Sequence, residues 1–294
     1  MLLLFIAFQF VLALFNGCAQ SQERNKAKIS GYQLSVDIYG NIFIVDENKN
    51  TVRLFSNEQE LLREIGGSGW EDDQFDRPVG LWARNGIDVF VADYGNHRIQ
   101  RFDRNLNFVS SLSTRESNNP EERFGYPTDV ALSRLGDLYI CDSENSRIVI
   151  VDRLTKVERT FGGFDAGLGR LYSPEGLEIG PRDHVYVLDG DRIVVFDSFG
   201  NFLHELAKDV FKEPVSLFAD NEGIVVLDDD ALYCFDQDER PMWTIPTDSI
   251  EGTADGIRSI AFSANQMYLL TTDGLITKPD PRRKLKLDRK LEIH

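Results

Sequence analysis

Residue types able to do chemistry are thinly spread along this 294-residue chain. Four histidines, His97, His184, His204 and His294, stand at unrelated places, whereas zinc chemistry needs His or Cys in number. Cys141 and Cys234 each lie inside an apolar run, where a thiol serves as a small core residue. No Gly-x-Ser-x-Gly nucleophile elbow occurs. The run Gly66-Gly67-Ser68-Gly69 is followed by Trp70-Glu71-Asp72-Asp73, not by a Lys and a hydroxyl, so it reads as a loop and not a phosphate cradle. Asp228-Asp229-Asp230 reads as a solvated turn, because three adjacent carboxylates in a two-strand turn cannot all face one ion. Two carboxylates remain, Asp129 and Glu175, with Arg258 nearby in repeat position and three loop aromatics, Trp70, Tyr94 and Tyr126. They imply a binding surface for a protein or glycan; no cofactor and no catalytic residue follow from them.

The elements that position these residues are strands. Phe90–Asp103 holds an apolar run closed by Asp93, a short turn, and a second apolar run opened by Arg98. That pattern is a β-hairpin. It recurs at Leu138–Asp152 and Val185–Asp197, with looser copies at Ile42–Phe55, Ile224–Asp236 and Met267–Lys278. An apolar residue precedes the closing Asp by twelve positions in Leu34/Asp46, Leu81/Asp93, Val130/Asp142 and Leu177/Asp189. Leu217/Asp228 is one residue shorter, and Ile260/Thr272 is expected as a degenerate sixth pair. Unbroken apolar quartets before these positions mark strands buried on both faces. Pro78, Pro127, Pro174 and Pro214 each follow a large apolar residue by three positions and mark where an inner strand starts. Six such units of about 40–50 residues give an all-β, six-bladed propeller over 32–294.

The pattern Pro…Gly-x-Leu-Tyr-Val-x-Asp-x-x-Asn-x-Arg-Ile resembles the NHL repeat, six of which build a propeller. The match is best in Pro78–Asp103, with Asn96-His97-Arg98-Ile99, and in Pro127–Asp152. It thins to Thr51-Val52, Asp229-Asp230-Ala231 and Asp273-Gly274 in other units. The resemblance implies that Asp93/Arg98 and Asp142/Arg147 fasten their blades, the Asp accepting from loop N–H groups and the Arg balancing its charge. It carries a fold and not a function.

Aligned repeats place Gln33, Gly80, Asp129, Gly176, Ser216 and Ser259 on one ring near the axis. The adjoining ring is Tyr32, Val79, Thr128, Glu175, Val215 and Arg258. Gluconolactonase-like propellers hold a divalent cation on carboxylate and amide groups in such rings, and here Asp129 and Glu175 are the pair available. The scattered His argue against the amidating-lyase branch of NHL proteins.

Residues Leu2 to Phe15 are almost wholly apolar, and a polar stretch follows Cys18. The expectation is a signal segment over 1–17 and a tether over 18–31. Gly17-Cys18 resembles a bacterial lipobox, which implies a lipidated Cys18 and membrane attachment in the cell envelope; a periplasmic or secreted product of an ordinary signal is the alternative. The net charge of -16, despite a basic end, repels phosphate backbones and excludes nucleic acid as the expected partner. Either Lys284-Leu285-Lys286-Leu287 or Lys26–Ser30 is expected to close the last blade. The resulting expectation is a tethered binding or scaffolding propeller, with a metal-assisted lactonase or lyase as the alternative.

Overall fold

A computed structural model describes residues 29, 31–153, 156–253 and 256–282. The signal segment, Cys18, nearly all of the tether and both candidate closing strands lie outside the described residues, although Ile29 is buried in the core. Six antiparallel sheets follow one another in chain order, five with four strands and the last with three among the described residues. Their inner strands are Gln33–Val36, Pro78–Trp82, Pro127–Leu132, Pro174–Ile179, Ser216–Asp220 and Ile257–Ser263, for blades 1 to 6. Each inner strand touches the next, and that of blade 6 touches that of blade 1, so the ring closes. Among the described residues helix is scarce, and the loops carry four short 3-10 turns.

The second strand of each blade is the apolar quartet, and it is buried throughout: Ile42–Asp46, Leu138–Asp142, Val185–Asp189 and Gly223–Leu227 have no partly exposed residue. Apolar clusters form between blades, one running through blades 2 to 4 and another joining blades 5, 6 and 1. Burial on two faces is why these strands do not alternate. Phe75, Phe124, Leu171 and Phe211, three residues before each Pro, plug the gaps above the sheets.

The Asp/Arg pairs fasten the hairpins. Asp93 is fully buried; its Oδ1 accepts from the Asp76 amide at 2.8 Å and its Oδ2 from Arg98 Nε at 2.7 Å. Arg98 then donates to the carbonyls of Trp70, Glu71 and Gln74, tying down the whole loop before the next strand. Asp142 repeats this with the Gly125 amide and Arg147, and Asp189 with the Tyr172 and Ser173 amides and Arg192.

Two expectations are corrected here. Asp228 is not part of a solvated turn: it is fully buried and accepts from the Lys212 and Glu213 amides, as the Asp of blade 5. Only Asp229 and Asp230 are exposed, in the turn that follows Gly223–Leu227. In blade 6 the closing place belongs to Thr271 and not to Thr272. Ile260 pairs with Leu269, and the Thr271 hydroxyl accepts from the Asp273 and Gly274 amides.

Candidate functional site: the mouth of the channel

The end where the inner strands begin, called the top, carries the Asp hairpin turns and the loops that enter each blade. Just inside it the first ring forms a polar collar. Gln33 Oε1 accepts from the Leu81 amide (2.8 Å), Asp129 Oδ2 from Leu177 (3.0 Å), Ser216 Oγ from Ile260 (3.3 Å) and Ser259 Oγ from Leu34 (3.2 Å). Each acceptor reaches the amide one place further along in the following blade. Gly80 has no such side chain because the inner strand of blade 3 is too close; a Cβ there would lie 2.6 Å from the Asp129 Cα.

Asp129 is the most heavily used member. Its Oδ1 also accepts from Gln33 Nε2 at 3.3 Å, so one carboxylate ties blades 1, 3 and 4 together. Burial raises its pKa to about 7, against the lowering effect of the amides and of Gln33. The expected pairing of Asp129 with Glu175 is met only in that both line one cavity. Glu175 is exposed and accepts from Ser173 Oγ at 3.1 Å, whereas Asp129 is turned into the collar. Among the described residues no group of three or more His, Cys, Asp or Glu is placed to hold a metal ion.

Above the collar the channel widens to a chamber of about 610 Å³. Its lip carries Tyr32, Glu47, Glu175, Glu213 and Arg258, with Val79 and Val215 in the wall. Arg258 is held by the Gly31 carbonyl at 3.3 Å. The Tyr32 phenol is raised by partial burial and then by the fields of Glu47, Glu175 and Asp129. Below the collar the channel narrows to about 20 Å³, room for little more than one water. Arg84 closes it there, donating to Glu178 Oε2 and the Ala219 carbonyl, each at 2.7 Å, and stacking over Phe218. Burial pushes the Glu178 carboxyl up to about 8, against the pull of the Arg84 guanidinium. A second hollow of about 390 Å³ lies beneath this pair.

The aromatics meet the top surface in two ways. Trp70 is 68% exposed, on the loop that Arg98 holds through the Trp70 carbonyl. Tyr94 and Tyr126 pack on each other, centroids 5.0 Å apart, with Arg77 over Tyr94 and the His97 ring against Tyr126. His97 is thus more than part of its own turn: its Nδ1 accepts from the Tyr126 amide and joins blades 2 and 3. Loop residues not singled out in the sequence extend the patch. Tyr172 and Phe164 are 65% and 75% exposed, with Arg170 stacked over both. In the sequence only Tyr172 stands near an Arg, Arg170, in the loop before a repeat Pro; Phe164 has none beside it.

The histidines are less scattered than their repeat positions imply. His204 and Tyr186 of blade 4 both bind the Glu239 carboxylate of blade 5, and His184 Nδ1 stands 3.6 Å from it. That cluster clasps two neighbouring blades at the bottom rim.

Residues 124–151 match the NHL repeat family. The chain is 30% identical over 146 residues to Protein brain tumor of Drosophila melanogaster, covering 48% of this chain and 13% of that protein. It is 31% identical over 108 residues to a probable peptidyl-alpha-hydroxyglycine alpha-amidating lyase of Caenorhabditis elegans, covering 36% and 29%. Those matches span less than a third of either relative. Among solved structures, a gluconolactonase from Xanthomonas campestris superposes with a TM-score of 0.61 at 13% identity, covering 86% of this chain and 87% of that one. A virginiamycin B lyase from Staphylococcus aureus gives 0.58 at 12% identity, covering 88% and 86%. At such identities the likeness is one of fold. The chain is an all-β, six-bladed propeller that carries an NHL repeat.

Proposed function

We propose that this chain is a binding or scaffolding propeller whose top end, the chamber mouth and the aromatic loops around it, engages a protein or glycan partner. The observation that carries this reading is the use made of Asp129. Both of its oxygens are committed to hydrogen bonds between blades, so the carboxylate best placed for metal-assisted chemistry is a structural fastener. Trp70, Tyr126 and Tyr172 supply exposed rings on loops tied down by the Asp93–Arg98, Asp142–Arg147 and Asp189–Arg192 pairs, which lowers the entropic cost of engaging a partner. The chain acts outside the cytoplasm, tethered through an acylated Cys18. Two acyl chains provide stable anchoring where one is marginal. Cys18→Ser is expected to release the protein from membranes or to stall its processing. Recovery of the wild type as soluble, unmodified protein would overturn the anchor.

The second reading, a metal-assisted lactonase or lyase, is favoured by one observation: Asp129 and Glu175 line the same chamber. One experiment separates the two. Asp129→Asn with Glu175→Gln is expected to retain partner capture, weakened no more than by Glu175→Gln alone, and the wild type is expected to carry no stoichiometric divalent ion and to turn over no member of a lactone panel. A bound ion and lactone hydrolysis, both lost in the double variant, would replace the binding reading by the enzymatic one.

A further inference from the structure

We infer that the chamber above the collar receives an organic cation, an ammonium or guanidinium group carried on a short alkyl stem. The inference rests on the reading of the top as the binding end, and it names the chemistry that the mouth recognises.

The chamber has volume to fill. At about 610 Å³ it is far larger than a bare ion needs, and its floor is closed by the collar and the narrow channel below. Its lining is unbalanced: Glu47, Glu175 and Glu213, with Asp129 already committed to the collar, stand against one guanidinium, that of Arg258. Among the described residues Glu47, Glu175 and Glu213 make no ion pair. Elsewhere on this molecule carboxylates near Arg side chains find them, as Asp93, Asp142, Asp189 and Glu178 do. A concave wall of low polarisability concentrates the field of such unpaired charges. The Tyr32 phenol is raised first by burial and only then by Glu47, Glu175 and Asp129, against the opposing field of Arg77.

Shape adds what charge alone does not. Val79, Leu188 and Val215 give the chamber apolar wall, against which methylene groups lie while a charged head reaches the carboxylates. Tyr32, 47% exposed at the lip, adds an aromatic ring to which a cation is attracted. A lysine or arginine side chain of a partner protein has this form, and so does a free diamine. A metal ion does not, and the carboxylates are not gathered into a metal-binding group.

The test is titration calorimetry on the full-length chain with four probes: acetyl-Gly-Lys-Gly-amide, the same peptide with its lysine acetylated, its Glu counterpart, and 1,5-diaminopentane. The Lys peptide is expected to bind at least tenfold more tightly than the acetylated one. Its affinity should weaken several-fold from 20 to 200 mM salt. Glu47→Gln, Glu175→Gln and Glu213→Gln together should erase the preference, while Glu58→Gln with Glu60→Gln, in a turn at the opposite end, should leave it unchanged. Binding of the diamine but not the Lys peptide would assign the cation to a free amine in place of a protein side chain. Equal binding of the charged and acetylated peptides, or a preference that survives in the triple variant, would overturn the cation and leave the binding end standing. If no probe binds and a photo-crosslinker at Val215 captures no partner in cells, the binding reading itself falls with it.

Discussion

The two ends of the channel are built from the same six strands and treat the charges at their mouths in opposite ways. At the bottom, charged side chains meet a partner across a blade boundary: Arg84 with Glu178, Arg134 with Asp183, Arg182 with Asp238, Arg282 with Asp220. At the lip of the top chamber Glu47, Glu175 and Glu213 face open space. The contrast separates charges that hold blades together from charges that remain for something outside the molecule. Proximity to the axis does not decide the matter, since Asp129 lines the top chamber and yet belongs to the fastening class.

Substitutions can break this contrast, and the largest effect is expected among the fasteners. Asp93→Ala would leave the buried Arg98 guanidinium without its carboxylate and is expected to cost about 3–5 kcal/mol in chemical denaturation. Arg84→Met should cost about 2–3 kcal/mol, less than a fully buried pair because Glu178 can take up a proton. Replacing both partners with Met should recover more than half of that loss.

The collar sharpens the contrast. Asp129→Ala removes an acceptor from two donors and should cost about 1–3 kcal/mol, whereas Asp129→Asn keeps an acceptor and should cost less than about 1 kcal/mol. The folded pKa of Asp129, about 7, lies above its ordinary 3.8, so the folded chain holds a proton that the unfolded chain releases. Its contribution to stability is therefore greatest below about pH 4 and is lost as pH rises towards 7. Urea midpoints measured across that window should fall more steeply with rising pH in the wild type than in Asp129→Asn. The smallest effect is expected at the lip, where Glu47→Gln, Glu175→Gln and Glu213→Gln should each shift stability by no more than about 0.5 kcal/mol in the same measurement.

The sequence made the blades legible because two-faced burial leaves an unbroken apolar quartet and the closing Asp is tied to a hairpin of nearly fixed length. It failed at Thr271 because blade 6 reaches its closing turn one residue sooner than most blades. Cross-blade contacts were harder to see. His184, His204 and Glu239 occupy three unrelated repeat positions, and only the packing of one sheet against the next brings them together. The chamber was half legible. Asp129, Glu175 and Arg258 occupy aligned ring positions, but Glu47 lies in a hairpin turn and Glu213 in an entry loop, where no period distinguishes them from the other acidic residues. The loop aromatics Tyr172 and Phe164 were missed for the same reason.

The central claim, that recognition belongs to the unpaired carboxylates at the mouth of the top chamber, is most directly tested by site-specific photo-crosslinking in cells producing the full-length chain. A photoreactive residue at Val215, exposed at the chamber mouth, is compared with one at Ile38, exposed at the bottom end. A discrete adduct from Val215 and none from Ile38, weakened when the three lip glutamates become glutamines, is the expected result. A specific adduct from Ile38, with Val215 silent, would contradict the claim and move the binding end to the bottom of the ring.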